Sequence, residues 1–326
     1  MTLNHFIHNL TFRETEPNYV DEVKKWFIEL KSFSFLFRTD DLPWLSYNYH
    51  TWTIPLEFRG SIIIYMTLTI FAALSRNARL LYQMGLIFCF LYIVDAWYAA
   101  CFVAGMLLCD LDLLAQAKQL PSFFTQFERH KKTFFALLFI CGMYLGSIPT
   151  NSGEMEELRK SPGWYYLSFL KPAACSAPKS FFLSVASIMI VVSVTHISRL
   201  KKFFELPFNQ HLGRVSYAFY LVHGPILDSV GDRIYAAVGW AWPAQEEAIP
   251  QWVNLFPLPR WGPYGMEFSF LTAHCFLFPF TLWIANIATT LFDEPAINLG
   301  WRLYKWATTP SGSSSSTETE LLLHHP

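Results

Sequence analysis

The sequence predicts an all-α membrane protein, a polytopic transmembrane helix bundle of about seven spans. Two features of composition and one of pattern lead there. Of 326 residues, 53% are hydrophobic and 15% charged, against roughly 25% charged in a typical soluble domain. Aromatic residues reach 18%, with 31 Phe, 15 Tyr and 12 Trp. A soluble globule needs more charged surface than that, and a disordered chain lacks such apolar content. The apolar residues also gather into runs near the length that crosses a bilayer, about 20 residues. A net charge of −1 leaves no electrostatic footprint for nucleic acid. The expected partner is therefore the lipid bilayer, and the expected location is that of an integral multi-pass protein of the endoplasmic reticulum or plasma membrane.

Residues 1–48 form a mixed, charged segment expected on the lumenal or extracellular side. Met1–Asp41 lacks the basic start and apolar core of a signal peptide and carries Lys24, Lys25 and Trp26 in an amphipathic stretch. Asn9-Leu10-Thr11 is an N-glycosylation sequon. Seven apolar runs follow, Gly60–Ser75, Leu80–Val94, Trp97–Cys109, Phe134–Pro149, Phe181–Ile197, Leu212–Val230 and Phe268–Phe292. The first extends back to Pro55, because proline is tolerated in a helix's first turn. The second and third are either one long helix or two crossings separated near Asp95.

Loop charge separates these alternatives. With two crossings, Arg76, Arg79, Lys118, Arg129, Lys131, Lys132, Arg199, Lys201, Lys202, Arg214, Arg302 and Lys305 share one side. Arg159, Lys160, Lys171, Lys179, Arg233 and Arg260 take the other. A single crossing nearly equalises the two sets, so the positive-inside rule favours seven spans with the larger set cytoplasmic. The loops Thr150–Ser180 and Gly231–Glu267 then face the lumen or exterior. Residues 310–326 are Ser/Thr-rich at their start and are expected to be a disordered cytoplasmic tail. The six cysteines are scattered, with no CxxC pair and no His at ligand spacing. They read as buried, inert thiols, and no metal is expected.

Ionisable groups at membrane depth are costly, about 2.5–3.5 kcal/mol each on insertion scales, and three places carry them. In Thr51-Trp52-Thr53-Ile54-Pro55-Leu56-Glu57-Phe58-Arg59-Gly60-Ser61, Thr53 is placed to cap a helix and Glu57 to lie near the positive end of its dipole. The plain structural alternative is an interfacial Glu57 with Arg59 snorkelling to headgroups. Gly60 and Ser61 offer a small stripe for close approach of a helix or a substrate. In Gly213-Arg214-Val215-Ser216-Tyr217-Ala218-Phe219-Tyr220-Leu221-Val222-His223-Gly224-Pro225, helical spacing gathers Gly213, Ser216, Tyr217, Tyr220, His223 and Gly224 on one polar face. A Gly-Pro break is expected after it. A lone His on an apolar helix is more often hydrogen-bonded core; this one continues a stripe of Ser and two Tyr. Asp95, between two runs, is expected to be an interfacial turn residue.

Together these two segments resemble acyltransferase family 3, the membrane O-acyltransferases, and its fungal-type members in particular. Trp52–Ser61 is similar to the family's W-T-[IL]-P-[VL]-E-F segment, and Gly213–Pro225 to its G-x-[IV]-S-Y-x-x-Y-L-x-H-x-P. Phe102-Val103-Ala104-Gly105-Met106-Leu107-Leu108 and Asp293-Glu294-Pro295-Ala296 match in supporting positions. The resemblance spans roughly Tyr49 to Trp306, and residues 49–309 would form a partial acyltransferase membrane domain. Family members usually begin with about three further spans that carry an intramembrane His, thought to be the catalytic base. Nothing before Tyr49 matches those spans.

The resemblance implies transfer of an acyl group, commonly acetyl, from acyl-CoA to a hydroxyl of a sugar, lipid or small metabolite. Acyl-CoA is then a co-substrate, and no bound cofactor is expected. Glu57, His223, Tyr217 and Tyr220 would act in catalysis, through proton transfer and oxyanion hydrogen bonds. Arg59, Trp52 and Ser216 would bind substrate or acyl-CoA. Two rival classes stand beside this reading. One is a non-catalytic relic of the family. The other is a proton-coupled transporter with Glu57, Asp95 and His223 along its path, which internal repeats would favour; the two halves show none.

Overall fold

The computed structural model describes residues 18–34, 45–120, 131–149, 155–263 and 266–309. The sequon, Glu154 and the 310–326 tail lie outside them. Among the described residues there are helices and turns but no strand. The chain divides into two units, Met1–His211 and Leu212–Pro326, described in turn.

The first unit opens with α1 (Tyr19–Ser34), the amphipathic stretch around Trp26. Its Glu29 accepts hydrogen bonds from the Ser46 amide and hydroxyl, at 3.0 and 2.7 Å. A 3₁₀ turn, Tyr49–Trp52, then runs directly into α2 (Thr53–Phe71). Next come α3 (Arg76–Tyr92), α4 (Trp97–Gln116) and α5 (Lys131–Gly146). Short turns α6 (Met155–Lys160) and α7 (Trp164–Leu167) precede α8 (Pro178–His196) and α9 (Ser198–Phe204). Of these, α4 packs against α2, α3 and α8, while α5 pairs with α8.

The one-helix alternative for the second and third runs is overturned. Helix α3 stops at Tyr92 and α4 starts at Trp97, with Asp95 between them at φ 56°, a left-handed conformation that Asp tolerates better than most residues. The two helices fold back as a hairpin. Arg79 of α3 donates from Nε and Nη2 to the two carboxylate oxygens of Asp110 on α4, at 2.7 and 2.6 Å, and Gln83 Nε2 adds a third bond at 3.3 Å.

Within the loop expected at Thr150–Ser180, the described residues from Met155 onward form a cap built on Trp164. That indole stacks on Tyr144 at 5.6 Å and meets Phe182 edge-on at 5.2 Å. Leu91, Ala100, Ile148, Leu158, Phe181 and Phe182 close around it. Asp95 fastens this cap, its Oδ2 accepting the Ser176 N–H at 2.8 Å. Burial pushes the Asp95 carboxyl up, but the Ser176 hydroxyl and amide, the Cys175 thiol and the Lys171 charge together outweigh it, and the group ends below the usual carboxylate range. Burial, reinforced by the neighbouring carboxylate, pushes the Cys175 thiol up to about 11. A depressed carboxyl stabilises the fold above its unfolded value, about 3.9, and that contribution disappears as pH falls through the lower folded value. Asp95→Asn is therefore expected to unfold earlier than wild type at neutral pH, with the gap closing below about pH 4; unfolding midpoints measured across pH check this.

The cysteines divide by environment. Cys175 is buried, Cys89 and Cys101 are half-buried, and Cys109, Cys141 and Cys275 lie exposed on helix surfaces. The reading of all six as buried is corrected for those three, whose helices present them outward.

The second unit is built on two long helices. α10 (Pro207–Ile226), which starts just ahead of the boundary, passes through a π turn at Leu227–Gly231 into α11 (Asp232–Ala237). After the short α12 (Pro243–Ala248), α13 (Phe268–Ala288) passes through a π turn at Thr289–Asp293 into α14 (Glu294–Thr308). Val215, Ala218 and Ala285 form the seam between α10 and α13, flanked by Phe219, Val222 and Leu282.

Each of the seven apolar runs lies on a helix. Among the described residues, four helical segments are long and apolar enough to cross a membrane, His50–Phe71, Trp97–Gln116, Pro178–His196 and Phe268–Thr308. Helices α3 and α5 have 17 and 16 residues, about 26 and 24 Å at 1.5 Å per residue, short of a ~30 Å core. Helix α10 is long enough but starts with Asn209, Gln210, His211 and Arg214.

Candidate active site

The first candidate segment straddles the 3₁₀ turn and the start of α2. Thr53 is not the cap. Trp52 occupies that position in helical conformation with no side-chain cap, because the preceding turn already bends the chain into the helix. Thr53 instead donates its hydroxyl to Glu57 Oε1 at 3.1 Å, one turn on. Glu57 is exposed, while Trp52 and Arg59 are half-buried. Ser61 donates back to the Glu57 carbonyl at 2.9 Å.

Gly60 shows what the small stripe is for. A Cβ there would lie 2.4 Å from the Phe102 ring of α4, so the close approach is between helices. Gly60→Ala is expected to cost about 1–3 kcal/mol through overpacking and to be rescued by Phe102→Leu. Unfolding midpoints of the single and double variants measure this.

The second candidate segment occupies α10. Ser216 and Tyr217 are exposed, and Tyr220 and His223 are half-buried. The Ser216 hydroxyl donates to the Gly213 carbonyl at 2.8 Å. His223 Nδ1 lies 2.6 Å from the Tyr220 carbonyl. A carbonyl only accepts, so the hydrogen belongs to Nδ1 and the neutral ring keeps its lone pair on Nε2. The imidazole also lies parallel to the Phe219 ring, 6.3 Å away, and Phe219 in turn meets Phe278 of α13. A ring fixed at one nitrogen with a basic second nitrogen is suited to accept a proton.

The expected break after Gly224 does not occur. Pro225 sits inside the helix, and the wider π turn that follows carries the chain on into α11.

Several polar contacts here escaped the sequence reading. Arg214 forms an ion pair with Glu294, its Nε donating to Oε1 at 3.0 Å and its Nη2 making a shorter bond to the same oxygen. This joins the second motif to the acid-Pro segment, two stretches linked by resemblance but not by local pattern. Beyond the π turn, Asp232 Oδ1 accepts from Gln245 Nε2 at 2.9 Å. The Tyr235 hydroxyl lies 3.3 Å from His274 Nε2, and Trp240 Nε1 donates to Ser269 at 2.8 Å. Among the described residues, no group of three or more His, Cys, Asp or Glu side chains is placed to hold a metal ion.

The chain is similar to known acyltransferases. The chain is 29% identical over 191 residues to O-acetyltransferase PaAT-1 of Phomopsis amygdali, an alignment covering 58% of this chain and 38% of that protein. It is 26% identical over 216 residues to acyltransferase R4 of a Phoma species, covering 64% and 44% respectively. The chain therefore spans less than half the length of either relative. No solved structure matches. The acyltransferase domain model of acyltransferase family 3 matches residues 6–290. That match starts well ahead of Tyr49, where the motif resemblance begins, and ends just short of the acid-Pro segment. With the Glu57 and His223 segments both inside it, the chain belongs to acyltransferase family 3.

Proposed function

We propose that the protein is an integral multi-pass acyltransferase that moves an acyl group, acetyl in the first instance, from acyl-CoA to a hydroxyl of a sugar, lipid or small metabolite. The observation that carries this reading is the tethered imidazole of His223, with Nδ1 held by the Tyr220 carbonyl and Nε2 basic. Counting at about 1.5 Å per residue from Leu212, where the apolar run begins, His223 stands roughly 16 Å along that run, which as a span puts it near the middle of a ~30 Å core. Water is scarce at that depth, and general-base chemistry and oxyanion stabilisation both gain from its exclusion. The relatives' names, an O-acetyltransferase and an acyltransferase, point to the same reaction class. Tyr217 and Tyr220 are the proposed hydrogen-bond donors to the developing oxyanion. Glu57 is the proposed second acid–base group, and Trp52, Arg59 and Ser216 the proposed binding residues. No resident cofactor is needed, since acyl-CoA enters as co-substrate.

The proposed topology has seven crossings, with residues 1–48 lumenal or extracellular and the tail cytoplasmic. Single cysteines at Lys131 and Lys201 are then expected to label from one side of sealed vesicles, and those at Glu154 and Glu246 from the other. Lys131 and Glu154 labelling from the same side would mean that α5 does not cross.

The functional test is release of free CoA thiol by the purified chain in lipid vesicles supplied with acetyl-CoA and hydroxylated acceptors. Acceptor-dependent release supports the proposal. Absence of release with every acceptor class and acyl chain length would favour the relic.

A further inference from the structure

The packed face of α13 ends at the π turn that follows it. Along α13, Ser269, Ala273, Leu277, Thr281 and Ala285 are buried at intervals of four, and Thr289 continues the row into the turn. α14 buries nothing. With 21 residues, α13 is about 32 Å long and fills one ~30 Å core by itself. The whole segment Phe268–Thr308 has 41 residues, about 60 Å if straight, twice what a crossing needs. The 15 residues of α14, about 22 Å, are too few for a second crossing. A π-bulge and a proline are two of the few causes of a sharp helix kink, and both stand at this junction.

The faces of α14 are sharply divided. At about 100° per residue, Glu294, Asn298, Arg302 and Lys305 fall within roughly 80° of one another around its axis. Ile297, Leu299, Leu303 and Tyr304 lie outside that stripe, each more than half exposed. Trp301 and Trp306 border the stripe, one at each edge. Tryptophan concentrates at the membrane–water interface, where its ring sits at the headgroup level. The apolar arc, roughly 220° wide, far exceeds the narrow seam of a helix-to-helix contact. Charge is divided as well. Glu294 is matched by Arg214 of α10, and among the described residues Arg302 and Lys305 pair with no carboxylate.

We propose that α14 lies in the plane of the cytoplasmic membrane surface and that Arg302 and Lys305 bind anionic phospholipid headgroups. Its apolar arc is sunk about 5–10 Å into the boundary between headgroups and acyl chains. The cytoplasmic leaflet is the one that carries anionic lipid. Only the choice of leaflet rests on the topology proposed above; the in-plane seating does not. The Arg214–Glu294 pair holds the first turn of α14 against α10, so the helix leaves the bundle from a fixed point.

The test uses the full chain in vesicles, with an environment-sensitive fluorescent amino acid placed at one position of α14 at a time and nitroxide-labelled lipids as quenchers. Both leaflets have the same composition, so the result does not depend on topology or on activity. In place of Leu299, Leu303 or Ala307, the probe should emit to the blue of its value in water and be quenched equally by shallow nitroxides. In place of Asn298 it should emit as in water. Quenching by deep nitroxides that climbs steadily from 299 to 307 would mean that α14 runs on into the bilayer. Water-like emission at every position would mean that the helix stands in solvent. Blue emission that no lipid quencher reaches would mean that a second copy covers the face. Each of these results overturns the proposal. With the probe at Leu303, nitroxide phosphatidylserine should quench at least about five-fold more effectively than nitroxide phosphatidylcholine, the gain expected of one basic residue at an anionic surface. Arg302→Gln/Lys305→Gln should abolish that preference and leave the emission maximum in place. Equal quenching by the two lipids in the wild type, or a preference that survives in the double variant, would also overturn the proposal.

Discussion

Replacing His223 with alanine is expected to reduce acyl transfer on the order of 10²–10⁴-fold, the range that a positioned general base supplies. The loss should fall on kcat and leave KM nearly unchanged, since the imidazole takes the proton only as the transition state forms. Tyr220→Phe separates two contributions of one residue. The ring's partner at Nδ1 is the Tyr220 backbone carbonyl, which Phe retains, so the His tautomer survives and only the phenol's own hydrogen bond is lost. A smaller reduction is therefore expected for Tyr220→Phe than for His223→Ala. Equal reductions would mean that the phenol, rather than the imidazole, dominates the chemistry.

Removing the Asp110 carboxylate is expected to have the largest effect on stability. Its two oxygens are taken by Arg79 Nε and Nη2, at 2.7 and 2.6 Å, between the helices of the α3–α4 hairpin. Gln83 beside them is only 2% exposed and donates to the same carboxylate, so removing Asp110 takes this acceptor from a buried amide as well as from the guanidinium. Breaking a buried ion pair from one side costs about 3–5 kcal/mol. The Arg79 side chain is 29% exposed, which places Asp110→Ala towards the lower end of that range. Replacing both partners, as in Arg79→Met/Asp110→Leu, should recover most of the loss, because no uncompensated charge then remains. The midpoint of detergent-induced unfolding for the three variants measures this. A double variant no better than Asp110→Ala would show that the pair contributes through something other than charge balance.

The helices were legible in the sequence because apolar residues at helical spacing run between clear interruptions such as Ser75 and Asp95. Asp95 itself was legible as a turn residue. Its partner, the Ser176 amide, was not, because it lies far along the chain. The same holds for the cap around Trp164. Turns of six and four residues carry too little periodicity to read, and they are held by rings from Tyr144 and Phe182. Thr53 has the chemistry of an N-cap, yet the turn before it already has helical geometry and leaves no cap to fill. Pro225 looked like a terminator, since proline in a helix interior ordinarily costs about 3 kcal/mol. The helix nevertheless continues, through the π turn at Leu227–Gly231. That same turn hid Tyr235, which a constant 100° step places about 120° from His223 rather than about 20°. The candidate site was thus readable up to Gly224, and beyond it required the backbone.

The central claim is transfer of an acyl group from thioester to hydroxyl. Its most direct measurement supplies acetyl-labelled acetyl-CoA and hydroxylated acceptors to vesicles containing the purified chain, then follows where the label goes. The expected result is label in a hydroxylamine-labile ester on the acceptor, with one CoA thiol released per ester formed and both formed on the order of 10²–10⁴-fold more slowly by His223→Ala. Label remaining on CoA, while the same vesicles pass protons down an imposed pH gradient in a His223-dependent way, would contradict it and identify a transporter instead.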